Sequence, residues 1–434
     1  MYNLLFIQIL MEKIEKMEKE RGLIIGSMIH DIRSPIMGII GILEILIESN
    51  KNKEQQEFLK LAFSSAENLL SLSNKAMELS YLFSGTLKLD SQSFSICELI
   101  EEICEEYAVI VQKKNLEINW LIESEVPQHV FGDPIKLKQV ITNLTYNAIK
   151  STDKGEITIQ VKVEDESSDK ITLRFEVSDT GVGIPKKCHD TLFTPFSQTK
   201  SFKKKNQNAP GLELSISREI VKLMNGTIGF ESKESSGTKF WFTADFIKSS
   251  EDSILDSNTK LLANSELNPD LCMQRDYSAV KALIVDDSSV FRLSLGRKLK
   301  SWGVEVYEAS NTVNALEFLI HSGSESFNVV FIDSEMPNMS ASELAEKIKS
   351  SNKLKDIQLV CLKPFSDIST SHPKYRNFSR FINKPIRTSK LKICLDEVTD
   401  FLNRKIIIND DSCGFSEAIK TYAEISNLLL SASE

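Results

Sequence analysis

His30 opens the run HDIRSP at residues 30–35 and has the carboxylate of Asp31 beside it. An imidazole with a pKa near ~6.5 keeps one ring nitrogen unprotonated at neutral pH, so it can act as a nucleophile, while a neighbouring carboxylate orients the ring or takes its proton. Asn143 and Asn147 stand one helical turn apart, which puts both on one helix face, where neutral oxygen ligands suit a magnesium ion. Lys150 falls on the adjoining face, within reach of a phosphate. Asp179 follows a strand-like run and can accept from an amino group, and the bare backbone of Gly181 and Gly183 permits close approach. Asp286, Asp287 and Asp333 end strand-like runs, as does Lys384. Clustered carboxylates repel one another unless a divalent cation neutralises them, so these acids predict a magnesium site with Lys384 as a point charge beside it.

The elements that position these residues follow from periodicity. Apolar residues recur in steps of three and four at Ile25, Ile29, Ile32, Ile36, Ile39, Leu43 and Leu46, then at Phe58, Ala62, Ser65, Leu69, Leu72, Ala76 and Leu79. Two helices joined at 49–53 would form a hairpin whose seams leave apolar surface uncovered, and a homodimeric four-helix bundle would cover it. His30 stands one position off the seam residue Ile29 and is expected to face outward. Pro35 lacks the N–H that would bond the Asp31 carbonyl, which predicts a hinge one turn after the histidine.

Between Phe94 and Lys248 the pattern is mixed. EITIQVKV and ITLRFEV alternate at period two and predict an antiparallel hairpin, with helices over Pro134–Lys150 and Leu212–Met224 and a last hairpin turning at Gly237. The expectation is an α/β sandwich. Residues 249–279 are rich in Ser, Asn and Asp and read as a linker. From Lys281, short β-branched strands alternate with helical stretches and predict a doubly wound, five-stranded parallel sheet. Ligand sites in such sheets lie at the carboxyl ends of the strands, so Asp286, Asp287, Asp333 and Lys384 should converge on one edge.

Composition narrows the setting. A chain of 434 residues suggests about three domains, and 41% hydrophobic with 26% charged residues fits globular units with real cores. A net charge of −9 argues against nucleic acid and anionic membranes as partners. Seven cysteines without a CxxC pair fit neither a disulfide framework nor a zinc ribbon and point to a reducing cytoplasm. No apolar run reaches the ~18 residues of a transmembrane helix, and the first residues, MYNLLFIQILMEK, lack the features of a signal peptide.

HDIRSP, DPIKLKQVITNLTYNAIKST (133–152) and DTGVGIP (179–185) resemble, in order and spacing, the boxes of a sensor histidine kinase. VDD (285–287), DSEMPNM (333–339) and KP (384–385) resemble a response-regulator receiver. Over roughly residues 20 to 400 the chain is similar to a hybrid histidine kinase. The resemblance implies a dimerisation and phosphoacceptor domain at 1–88, an ATP-binding domain at 89–248, the linker, a receiver at 280–404 and a tail at 405–434 with one helix from Ser416 to Leu430. It implies ATP and Mg²⁺ as cofactors, autophosphorylation of His30, and relay to Asp333. Asn147 matches the family's metal-binding asparagine, and Asp179 would take the adenine amino hydrogen. Phe193 and Phe196 resemble the aromatic anchors of a mobile lid, with Lys200, Lys203, Lys204 and Lys205 following. Partners would be a second copy, a histidine-containing phosphotransfer protein or separate response regulator, and an upstream sensor.

Departures from the family pattern carry expectations of their own. Where a glycine-rich phosphate loop is usual, NAPGLELSIS keeps Gly211 but has Ala209 and Glu213, and a carboxylate there would repel phosphate at a helix N-terminus. This opens an alternative reading as a catalytically impaired scaffold or phosphatase with a receiver. Lys363 stands where the family has Ser or Thr, with Phe381 at the aromatic switch position, so phosphoryl acceptance is expected to survive while the hydroxyl-driven response is not.

Overall fold

A computed structural model describes residues 28–49 except 30, then 52–195, 197, 211–248, 275–322, 327–336, 339–364 and 375–410. His30, Phe196, Lys200, Lys203, Lys204, Lys205, Ala209 and the expected helix at 416–430 lie outside the described residues. The chain forms two compact units.

Among the described residues of the first unit, a helical hairpin comes first. Helix α1 covers 31–49 and continues through Pro35. The Asn52 side chain then accepts from the amides of Glu54 and Gln55 at 3.0 and 3.4 Å, and this cap starts α2, Lys53–Phe83. The seam expected as one line on α1 is divided. Ile36 is buried and Ile29 and Leu43 are partly covered, whereas Ile32, Ile39 and Leu46 are exposed together with Met28 and Ile42. On α2, Leu59, Phe63, Ala66 and Leu70 turn inward while Phe58, Leu61 and Leu69 are exposed. Alternate positions of a 3.5-residue repeat fall on either side of the seam line, and the hairpin partner covers one side only.

The sandwich follows, with β1 (Gln92–Ser95), α3 (Ile96–Lys113), β2 (Leu116–Ile122), β3 (His129–Gly132), α4 (Pro134–Ser151), β4 (Gly155–Glu166), β5 (Lys170–Asp179), α5 (Glu213–Leu223), β6 (Ile228–Ser232) and β7 (Thr238–Lys248). The sheet runs β1-β3-β7-β5-β4-β2, with β6 also on β7, and only the β2–β4 pair is parallel. Alternate residues Ile157, Ile159 and Val161 of β4 and Leu173, Phe175 and Val177 of β5 are buried, as period two requires. Phe175 stacks on Phe242 at 4.9 Å. The α/β sandwich is therefore as expected.

The second unit holds β8 (Lys281–Val285), α6 (Ser289–Ser301), β9 (Glu305–Ala309), α7 (Thr312–Ser322), β10 (Val329–Asp333), α8 (Ala341–Ser350), β11 (Gln358–Pro364), β12 (Arg380–Lys384) and α9 (Thr388–Asp410). Its sheet is wholly parallel in the order β12-β11-β10-β8-β9, the doubly wound arrangement expected. Apolar clusters cover both faces, around Leu283 and Leu344 on one and Ile284 and Leu391 on the other. Tyr277, upstream of the boundary expected at 280, is buried in the second cluster, and its hydroxyl donates to Asp396 at 2.8 Å. Helix α9 likewise continues past 404 to Asp410.

Candidate functional site

Helix α4 carries the first group of candidates. Asp133 caps it by accepting from the Lys136 amide at 2.9 Å, and Pro134 fills the first position, where a missing N–H costs nothing. The same carboxylate accepts from the Asp90 amide at 2.8 Å, which ties the helix start to the segment before β1. Asn143, Asn147 and Lys150 are half-buried along α4. The Asn143 amide nitrogen donates to the Ser217 hydroxyl at 3.3 Å and approaches the Glu213 carbonyl at 3.5 Å, so this residue also binds α4 to α5. Ser217 was not singled out from sequence.

Asp179 ends β5 opposite Ile157 on one side and Thr238 on the other. Burial pushes its carboxyl up from the usual range, while the amides of Gly181, at 2.8 Å, and Thr238 hold it down. Gly181 and Gly183 were expected to let the backbone approach a base. Their glycine character has a nearer cause in the protein's own backbone. A Cβ on Gly181 would stand 2.4 Å from the Ser151 carbonyl oxygen, and one on Gly183, at φ +69°, would stand 2.2 Å from that of Lys233. The Val182 amide donates to the same Ser151 carbonyl at 3.3 Å, so the loop after β5 is fastened to the end of α4. Phe193 rests against Phe230 with ring centres 6.1 Å apart.

Gly211, at φ +70°, precedes α5, which no side chain caps. Glu213 occupies its first turn, and here the expectation changes. Its carboxylate receives the Lys75 ammonium of α2 at 2.6 Å, so the charge has a counter-ion. Three residues further along the same face of α2, Glu78 accepts from Lys136 at 2.6 Å and from Gln139 at 2.8 Å. The hairpin thus holds both α4 and α5 by charge-assisted bonds. Neither Lys75 nor Glu78 belongs to a motif, so sequence offered no sign of them. Asp31, by contrast, lies exposed on α1.

The receiver candidates converge as expected. Asp286 and Asp287 follow β8 and Asp333 ends β10, and their carboxylate oxygens lie within 4.8 Å of one another. Lys384 closes the group at 2.6 Å from Asp286 and 3.0 Å from Asp333. Asp286 is fully buried, which pushes its carboxyl up to about 6, with Lys384 opposing the shift and Asp333 adding to it. Arg292 binds the carbonyls of Asp286 and Asp287 at 2.7 and 3.1 Å and fixes the acidic pair on its turn. An all-oxygen donor set with more negative than positive charge fits a hard divalent cation such as Mg²⁺.

A helical hairpin, an α/β sandwich and a doubly wound sheet with an acidic cluster follow one another along the chain. Family profiles match residues 20–85 as His Kinase A (phospho-acceptor) domain, 132–248 as histidine kinase-, DNA gyrase B- and HSP90-like ATPase, and 282–396 as response regulator receiver domain. Sensor histidine kinase GacS of Pseudomonas protegens is 29% identical over 378 residues, 86% of this chain and 39% of that protein. Sensory/regulatory protein RpfC of Xanthomonas campestris pv. campestris is 28% identical over 339 residues, 75% of this chain and 46% of its own. The chain therefore spans less than half the length of these relatives. A crystal structure of full-length ShkA in complex with AMPPNP shares the fold at a TM-score of 0.63 and 21% identity, over 87% of this chain and 71% of that one. The chain thus carries phospho-acceptor, ATPase and receiver domains in one order, the domain set of the sensor histidine kinases it resembles. Among the described residues no helix is long and apolar enough to cross a membrane.

Proposed function

We propose that this protein is an ATP-dependent histidine kinase that phosphorylates itself on His30 and relays the group to Asp333. The observation that carries the reading is the Asp286–Asp287–Asp333 cluster with Lys384, on one chain with a phosphoacceptor segment and an ATPase-type domain. In the first step an unprotonated ring nitrogen of His30 bonds to the γ-phosphorus, the bond to the β–γ bridging oxygen breaks, and ADP leaves. In the second, a carboxylate oxygen of Asp333 bonds to that phosphorus and the imidazole departs. Asp179 would receive the adenine amino group, and Asn147 and Lys150 would face the phosphates. Bound Mg²⁺, held by Asn147 in the sandwich and by Asp286, Asp287 and Asp333 in the receiver, would supply charge neutralisation at phosphoryl oxygens. Lys384 would hold a phosphoryl oxygen by direct contact.

The exposed stripe of Ile32, Ile39, Leu46 and Leu69 supports a homodimer through the hairpin. The acyl phosphate on Asp333 would pass to a histidine-containing phosphotransfer protein or separate response regulator, under an upstream sensor. Cys104 and Cys394, neither in a disulfide, agree with work in the cytoplasm. Incubation with γ-labelled ATP tests the scheme. Acid-labile, base-stable label on His30 is expected, retained there in Asp333→Asn and absent from both sites in His30→Gln. Label on Asp333 from ATP in the His30 variant would refute the relay.

A further inference from the structure

Phe291, in the first turn of α6, lies beside the acidic cluster without contributing a donor to it. The Lys384 ammonium stands over its ring, 4.3 Å from the ring centre, while the same ammonium lies 2.6 Å from Asp286 and 3.0 Å from Asp333. The negative face of an aromatic ring attracts a cation, and the attraction grows where water is excluded. Water is largely excluded here, since Phe291 is 8% exposed and Asp286 is fully buried.

The fold fixes the ring more firmly than the lysine. Phe291 belongs to the apolar cluster on the α9 side of the sheet, with Ile284, Leu295 and Ile386. Its amide donates to the Ser288 hydroxyl at 3.3 Å, the cap that begins α6. Lys384 is the last residue of β12, and β11 lies between that strand and β10, where Asp333 ends. Its four-carbon stem therefore crosses the end of a strand to bring the ammonium to the carboxylates. A stem of that length gives up rotamer freedom when it is held, so a contact at its head narrows the arrangements open to it. Arg292, the next residue of α6, binds the carbonyls of Asp286 and Asp287. Neighbouring residues of one helical turn thus hold the acids and the cation.

The kind of contact matters for phosphoryl acceptance. Charge-assisted bonds to Asp286 and Asp333 are directional, whereas a ring face attracts a cation over its whole area and does not direct any one N–H. Once Asp333 carries a phosphoryl group, the ammonium shifts from the carboxylate to phosphoryl oxygens, and contact with a ring face survives such a shift. We propose that Phe291 is a positioning residue for phosphoryl acceptance, whose aromatic face holds the Lys384 ammonium at the acidic cluster and stays with it as it passes from the Asp333 carboxylate to the phosphoryl oxygens. This inference rests on the reading of Asp333 as phosphoacceptor.

The test uses the full chain with isotope at the lysine ε carbon, the Lys384 signal assigned through Lys384→Arg, and beryllofluoride with magnesium as a phosphoryl mimic. Ring currents should move the Lys384 ε protons upfield in the unmutated protein, with and without the mimic, and Phe291→Leu should abolish that shift. Replacement of Phe291 by pentafluorophenylalanine keeps the shape of the ring and reverses the charge of its face. Both changes should weaken beryllofluoride binding about fivefold. Magnesium alone should bind no more weakly than before, because Lys384 competes with the metal for the carboxylates. Phe291→Tyr should keep the shift and the affinity. Unchanged beryllofluoride affinity with the fluorinated ring would reduce Phe291 to packing and overturn the proposal, as would a Lys384 signal without the ring shift in unmutated protein. Magnesium binding that weakens in parallel with the mimic would also overturn it, by showing general damage to the site. If unmutated protein shows the ring shift but binds no beryllofluoride, the reading of Asp333 fails and this one with it.

Discussion

Lys75 and Glu213 are 138 residues apart in the chain, and their side chains meet at 2.6 Å. The pair sits where α2 passes the first turn of α5. A carboxylate free at that place would oppose an incoming phosphate. Bound to an ammonium, it instead joins the nucleotide domain to the hairpin.

Removing Lys75 should therefore expose the charge. Lys75→Met is expected to weaken binding of a non-hydrolysable ATP analogue by about tenfold, of the order of 1 kcal/mol for a part-exposed pair. Adding Glu213→Gln should restore it. Calorimetry at low and high salt checks this, and equal affinity in the single variant would show that the carboxylate does not act on nucleotide.

The divided stripes on the hairpin separate two kinds of substitution. Ile39→Asp and Leu69→Asp, at exposed positions, should yield folded monomers by light scattering with helicity intact by circular dichroism. Ile36→Asp, at a buried position, should cost about 3 kcal/mol or more and melt the hairpin. A dimer that survives both outer changes would place the interface elsewhere.

Asp179 is the acceptor proposed for the adenine amino group. Asp179→Asn should weaken adenine nucleotides by about 2 kcal/mol, near thirtyfold, and leave the weaker binding of guanine nucleotides almost unchanged. Competition between the two nucleotide types measures the difference, and a parallel loss for both would contradict a direct role at the base.

Glu176 provides a pH test of the sandwich. Burial would raise its carboxyl, but hydrogen bonds from Arg174 and Lys162 and the charge of Lys239 outweigh that and bring it to about 2. Because the folded value lies below the unfolded one, this group's stabilisation is present above pH ~4.5 and is lost as pH falls toward ~2. Glu176→Gln should lower stability by about 3 kcal/mol at pH 7 and by little near pH 2. Urea unfolding followed through Trp241, on which Arg174 stacks at 4.2 Å, reads both ends of the window.

What the sequence disclosed was local. A parallel strand that ends in an acid, such as Val329–Asp333, or a helix opened by Asp133 and Pro134, writes its structure in neighbouring residues. Strands β1 and β3, of four residues each, are too short for a period to register. The Lys75–Glu213 pair depends on residues brought together by folding, and no spacing rule could have paired them. Glu213 is the instructive case: its type and position were read correctly, but its effect turns on a counter-ion from another helix.

Helix α2 runs without interruption for 31 residues, about 45 Å, and Lys75 and Glu78 lie near its far end from the hairpin turn. Such a rod behaves as a torsion bar. A twist of about 30° applied at the turn sweeps its surface, at a radius of about 6 Å, through ~3 Å. A sideways shift of that size stretches a 2.6 Å ion pair to about 4 Å, so rotation alone strains the bonds to Glu213 and Lys136 in one motion. The hairpin can thus act on the nucleotide domain by angle, with no helix having to bend or melt.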